Sequence, residues 1–119
     1  MKSAGQLRVR LMLGDTIALG PGKARLLQAV AETGSITAAA KSMGMSYRRA
    51  WMLIDDMNRC FKQPLVETAK GGVRGGGASV SDFGRDVLGR YLVIEKKAAQ
   101  AIAPDIARLT RLMANDTKT

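Results

Sequence analysis

The stretch from Gly34 to Trp51, reading GSITAAAKSMGMSYRRAW, sets the tightest limit on how this chain folds. Ser35 is a strong N-cap, because its hydroxyl accepts a backbone N–H that a helix start leaves orphaned. It opens a short helix from Ile36 to Met43, in which Ala38, Ala39 and Ala40 let another helix approach closely. Gly44, Met45 and Ser46 form a tight turn, and Ser46 caps a further helix running to Cys60. On that helix Ala50, Ile54, Met57 and Phe61 share one side at helical spacing, with Arg48, Met52, Asp55, Asp56 and Arg59 on the other. Two such helices joined by a glycine turn are a helix-turn-helix.

The flanks extend the pattern. Arg8 to Leu13 alternates, placing Val9, Leu11 and Leu13 on one face, and Gly14-Asp15 turns it into Thr16–Leu19 as a hairpin. Gly20-Pro21 opens a helix with the stripe Leu26, Leu27, Val30 and Ala31, and Gly34 ends it. After Pro64, Leu65–Thr68 and Ala78–Val80 read as strands around a basic, glycine-rich tip, Lys70 to Gly77. Ser81 or Asp82 caps a long final helix. Its apolar or small residues Leu88, Leu92, Ala99, Ile102, Ile106, Leu109 and Met113, with Glu95 between, follow a coiled-coil-like seam. Pro104 predicts a kink or break in it. The expected fold is mainly α with small β-hairpins. Residues 1–80 form a winged helix-turn-helix with an N-terminal hairpin, and 81–119 a dimerisation helix or helices.

Composition narrows the chemistry. Among 119 residues, 19 Lys and Arg face 10 Asp and Glu, a net charge of +9 that favours a polyanionic partner. Histidine is absent, which removes the commonest general base and metal ligand. Cys60 is the only cysteine, so neither an intrachain disulfide nor a multi-cysteine metal site is available. Asp55 and Asp56 are adjacent on a helix and diverge by about 100°, so they do not converge on one reacting atom. The seven methionines lack a repeated spacing and read as core filling rather than copper(I) ligands. The tip Gly71 to Gly77 lacks the Lys-Ser/Thr ending of a phosphate-binding loop. No metal, cofactor or catalytic site is expected, and neither a secretory signal nor a membrane span is expected at the N-terminus. The expectation is a cytoplasmic protein that is not an enzyme.

A helix-turn-helix in so basic a chain points to double-stranded DNA. Tyr47, Arg48 and Arg49 sit in the first turn of the second helix, the part that enters a major groove. Arginine can donate two hydrogen bonds to guanine, and Ser46 with the positive helix start can hold a phosphate. Ser35 and Thr37 are counted with these contacts. Lys70, Gly71, Gly72 and Arg74 are assigned to a wing on the sugar-phosphate backbone. Trp51 borders the apolar side and is expected in the core. The pairing seam is Leu88, Leu92, Ala99, Ile102, Ile106 and Leu109.

The Gly34–Trp51 segment, then Ile54-Asp-Asp-Met-Asn58 and the glycine-rich wing before Ser81, resemble the N-terminal DNA-binding domain of ModE-type molybdate-responsive regulators. More distantly they are similar to the LysR-type helix-turn-helix. The resemblance implies a winged helix with a terminal dimerising helix and a palindromic operator. It places groove reading on Ser46, Tyr47, Arg48 and Arg49, and the wing on Lys70, Gly71, Gly72 and Arg74. ModE-type regulators carry molybdate-binding modules after this domain, and the resemblance does not extend to such modules within residues 1–119, so none is expected. The function expected is therefore sequence-specific regulation of transcription by a homodimer, with molybdenum or tungsten genes as the family-level target. Two alternatives share its features: an antitoxin-like or adaptor interaction module using the same apolar seam, and a non-specific nucleoid-binding protein using the charge alone.

Overall fold

In the computed structural model, residues 5–69 and 77–114 are described. The element order is β1 (Leu11–Leu13), β2 (Thr16–Leu19), α1 (Pro21–Thr33), α2 (Ile36–Ser42), α3 (Tyr47–Cys60), β3 (Val66–Thr68), β4 (Ala78–Val80) and α4 (Asp82–Thr110). The strands form separate antiparallel pairs, β1 with β2 and β3 with β4. Leu19, Leu26, Leu27, Val30, Met57, Leu65 and Tyr91 are the largest fully buried side chains, and α1, α2 and α3 surround them.

Local chemistry explains the boundaries. Pro21 starts α1, and Gly34, at φ 68°, returns its N–H to Val30 O at 2.8 Å. Ser35 accepts from Ala38 N at 3.1 Å, Ser46 from Arg49 N at 3.1 Å and Ser81 from Gly84 N at 2.9 Å, so each capping serine starts its helix as expected. Asn58, near the end of α3, fixes the root of the β3–β4 hairpin. Its side-chain oxygen accepts from Leu65 N at 2.8 Å and Val66 N at 3.2 Å, and its amide donates to Val66 O at 3.1 Å. Ala78 N donates to Gly34 O at 3.0 Å, tying the returning strand to the turn before α2.

Several expectations need correction. The first strand begins at Leu11, not Arg8, and all of β1 is exposed. The pairing register shifts between Leu11 and Met12, leaving Ala18 of β2 as the extra residue, and Leu11 and Leu13 do not form a buried face. In α1, Ala31 is exposed and Ala24 takes its place in the core, with Lys23 also buried. The Lys23 ammonium donates to Ile17 O and lies 3.9 Å from Asp56, fastening the first hairpin to α1 and α3. Helix α4 runs unbroken through Pro104. That proline lies where the helix is exposed, so no neighbouring element forces the freed carbonyl out of line. Met57 is buried and Met43 and Met45 pack against the core, but Met12, Met52 and Met113 are exposed, so core filling accounts for only part of the methionine content.

Only Gly84 and Tyr91 of α4 are buried. Beyond Tyr91 the helix leaves the globular part as a rod, giving the molecule a long axis of 56 Å against 33 and 25 Å. The N-terminal segment runs back along it: the Tyr91 hydroxyl donates to Val9 O at 2.6 Å, and Gly5 N donates to Thr110 Oγ1 at 3.0 Å. No helix of the described residues is long and apolar enough to cross a membrane.

Candidate nucleic-acid interface

Helix α3 buries Ala50, Ile54 and Met57 against α1 and α2 and presents its other side to solvent. Arg48 lies near the middle of that exposed side, because it is about 160° round the helix from Ala50. It is exposed and has no ion-pair partner among the described residues. Arg59, further along, is committed to Asp55 and Asp56, each at 3.2 Å. The uncommitted guanidinium therefore sits at the helix start, where the backbone N–H groups also point outward.

Ser35, Thr37 and Tyr47 meet in one polar cleft of about 200 Å³, together with Thr68, Ala69 and Gly77 at the root of the wing. Ser46 lies next to Tyr47 and is exposed. The hydroxyls of Ser35 and Ser46 each accept one helix N–H, which leaves their protons to donate. Arg49 is not with this group. It lies about 100° round from Arg48 and faces the N-terminal hairpin. Lys70, Gly71, Gly72 and Arg74 lie outside the described residues.

Trp51 departs from expectation: it is 47% exposed. Ala50, Ile54 and Met57 already close the α3 packing face, and Trp51 lies about 100° round from Ala50, outside it. With Tyr47 and Met52 it forms an apolar outer surface on a helix that carries uncommitted positive charge. Sequence spacing marks Trp51 as a border position, and only the width of the packed face decides which way it falls.

Among the seam residues, Ala99, Ile102 and Ile106 line an apolar groove of about 480 Å³ with Gly5 and Leu7 of the N-terminal segment. Leu88 is half-buried near the globular part, whereas Leu92 and Leu109 are exposed.

These elements define a winged helix-turn-helix: α2 and α3 across the Gly44 turn, the β3–β4 hairpin as the wing, and α4 as an appended rod. The profile of bacterial regulatory helix-turn-helix proteins of the LysR family matches residues 22–85, and the chain belongs to that family. It is similar to the molybdenum transport protein ModE of Azotobacter vinelandii, at 37% identity over 83% of this chain and 37% of the relative. It is also similar to the DNA-binding transcriptional dual regulator ModE of Escherichia coli K12, at 34% over 86% and 40%. The molybdenum-pterin-binding protein MopA of Rhodobacter capsulatus is 38% identical over 71% of this chain and 32% of its own length. The chain thus spans about a third to two fifths of the length of these relatives. The fold is shared with the DNA-binding domain of CbnR, solved in complex with DNA. That match has a TM-score of 0.57 at 22% identity, covering 74% of this chain and 95% of the other.

Proposed function

We propose that this chain reads double-stranded DNA as a homodimeric transcriptional regulator whose targets are genes of molybdenum or tungsten handling. The observation that carries the reading is the uncommitted, outward Arg48 in the first turn of a capped α3, flanked by exposed Trp51 and Met52. Arg48 donates to guanine O6 and N7 in the major groove, and Trp51 and Met52 contact thymine methyl groups or sugars. Ser35, Thr37, Ser46 and Tyr47 hold backbone phosphates beside it. Lys70, Gly71, Gly72 and Arg74 supply the wing contacts. The names of the ModE relatives support the regulatory role and the metal connection.

A second copy of the chain pairs along α4, through Leu88, Leu92, Ala99, Ile102, Ile106 and Leu109. The support is apolar surface left open along the rod: Leu92 and Leu109 of the seam are exposed, as is Met113 just beyond the end of α4. Two-fold pairing requires a palindromic operator. The protein acts in the cytoplasm, is not an enzyme and needs no resident cofactor.

Selection of bound duplexes from a random pool at physiological salt tests the reading; the expected product is a two-fold symmetric motif. Trp51, the only tryptophan, reports binding by its fluorescence. Arg48→Ala is expected to cut discrimination at one base pair per half-site by about 1–3 kcal/mol. Equal affinity of wild type and Arg48→Ala for every single-base variant of the motif refutes the role of Arg48.

A further inference from the structure

We infer that Arg8, Arg10 and Arg49 form a clamp for one phosphate of the duplex backbone, on the flank of α3 opposite the wing. This rests on the DNA-binding reading above and adds a contact that the helix-turn-helix and wing do not make without the N-terminal segment. The three arginines line a single open cleft of about 290 Å³ with Gly20, Gly22 and Lys23 at the start of α1. Arg8 and Arg10 belong to the segment before β1, and Arg49 to the first turn of α3, so the fold brings together cations far apart in sequence.

The charge balance of the cleft is one-sided. Among the described residues neither Arg10 nor Arg49 pairs with a carboxylate, and Arg8 reaches only the Gln6 side-chain oxygen at 3.4 Å. By contrast Arg59 is neutralised locally by Asp55 and Asp56, Arg90 by Asp86 and Arg108 by Asp105. Asp56, the acid bonded nearest to this region, is already shared between Lys23 and Arg59. Like charges gathered without a counter-charge repel, and an anion between them relieves that cost. Helix α1 adds to the field, since no side chain caps Gly20 and its first turn contains no acidic residue.

Position selects the anion. Arg49 is the immediate neighbour of Arg48, and about 100° separates them, so the cleft opens beside the surface that faces the base edges. A groove-reading helix has a phosphate strand on either side. The wing root serves one strand and this cleft the other. The cleft is open and its arginines Arg8, Arg10 and Arg49 are exposed, which suits a strand passing over it better than a small ion enclosed within it.

The test uses the full chain and the selected duplex, comparing wild type, the double variant Arg8→Gln/Arg10→Gln, and Arg10→Lys. The double variant is expected to bind roughly tenfold more weakly at physiological salt, with a log K against log salt slope shallower by about one to two units. The order of preference among operators stays the same, and Arg10→Lys keeps most of the affinity. Ethylation of one flanking phosphate per half-site blocks wild type and no longer matters to the double variant. An unchanged slope with no flanking interference overturns the clamp while leaving the DNA reading intact. A changed order of operators overturns it also, by making the arginines base readers. Binding of inorganic phosphate by wild type but not by the double variant, with duplex affinity equal in both, makes the cleft a free-anion site and overturns it. If wild type enriches no duplex at all, the functional reading falls and takes the clamp with it.

Discussion

Tyr91 shows how one side chain joins distant parts of the chain. It is 1% exposed, and its hydroxyl is shared between Val9 O at 2.6 Å and the Glu95 carboxylate at 3.1 Å. Burial, then the hydrogen bond to Glu95 and that residue's charge, push its pKa up to about 12. A raised phenol pKa means that the unfolded chain ionises first. The stabilisation is whole below pH 10 and is lost as pH climbs from 10 towards 12. Tyr91→Phe is expected to lower stability at pH 7 by about 1 kcal/mol and to lose its share of the alkaline fall. Denaturant melts at pH 7, 10 and 11.5 check both, and parallel pH curves for the two proteins would refute the role. Among residues, the sequence makes Ser35, Ser46 and Ser81 legible as caps because a cap depends on neighbours within four positions. Lys23 and Tyr91 were not legible as buried anchors. Their partners Ile17, Asp56, Val9 and Glu95 include residues met only after the chain has folded. Arg48 and Arg49 look equivalent in sequence, and only the placement of the first hairpin separates them.

At the scale of elements, the helices and both hairpins follow from caps, glycine turns and apolar spacing. The departures come from context. Strand β1 is exposed at all three of its residues, although its local alternation predicts one buried face. Helix α4 continues through Pro104 although proline opposes it, because an exposed helix can bend slightly and give the freed carbonyl to water. Pro104 should therefore weaken the rod without ending it. Pro104→Ala is expected to restore one backbone hydrogen bond and to favour the helix locally by up to about 3 kcal/mol. Amide exchange over residues 100–110 reads this directly, as slower exchange in the variant with little change before Tyr91. Equal exchange in both proteins would mean that the proline carries no local cost. The wing root was legible as two strands, while its attachment through Asn58 was not: the residue is a motif letter in sequence and a three-bond bracket in the fold.

The whole molecule is a compact head with a rod that continues past it. Heads of this size bury a sufficient core alone, whereas the rod buries only Gly84 and Tyr91 and leaves Leu92, Val93, Ile94 and Leu109 exposed. Leu92→Asp places a charge on the exposed part of the seam, well before the groove shared with the N-terminal segment. It is expected to give monomers in sedimentation at micromolar concentration, with helix content unchanged; an unaltered mass rejects the seam. In the proposed dimer the rod also governs geometry between the two copies of α3, which must lie about 34 Å apart, or a multiple of that, to meet successive turns of one duplex face. At roughly 44 Å from 29 residues, α4 works as the arm of a calliper: a tilt of about 5° at the joint moves its far end by about 4 Å. In that proposed pair, whatever touches the joint, however far from the nucleotides, sets the gap between the jaws.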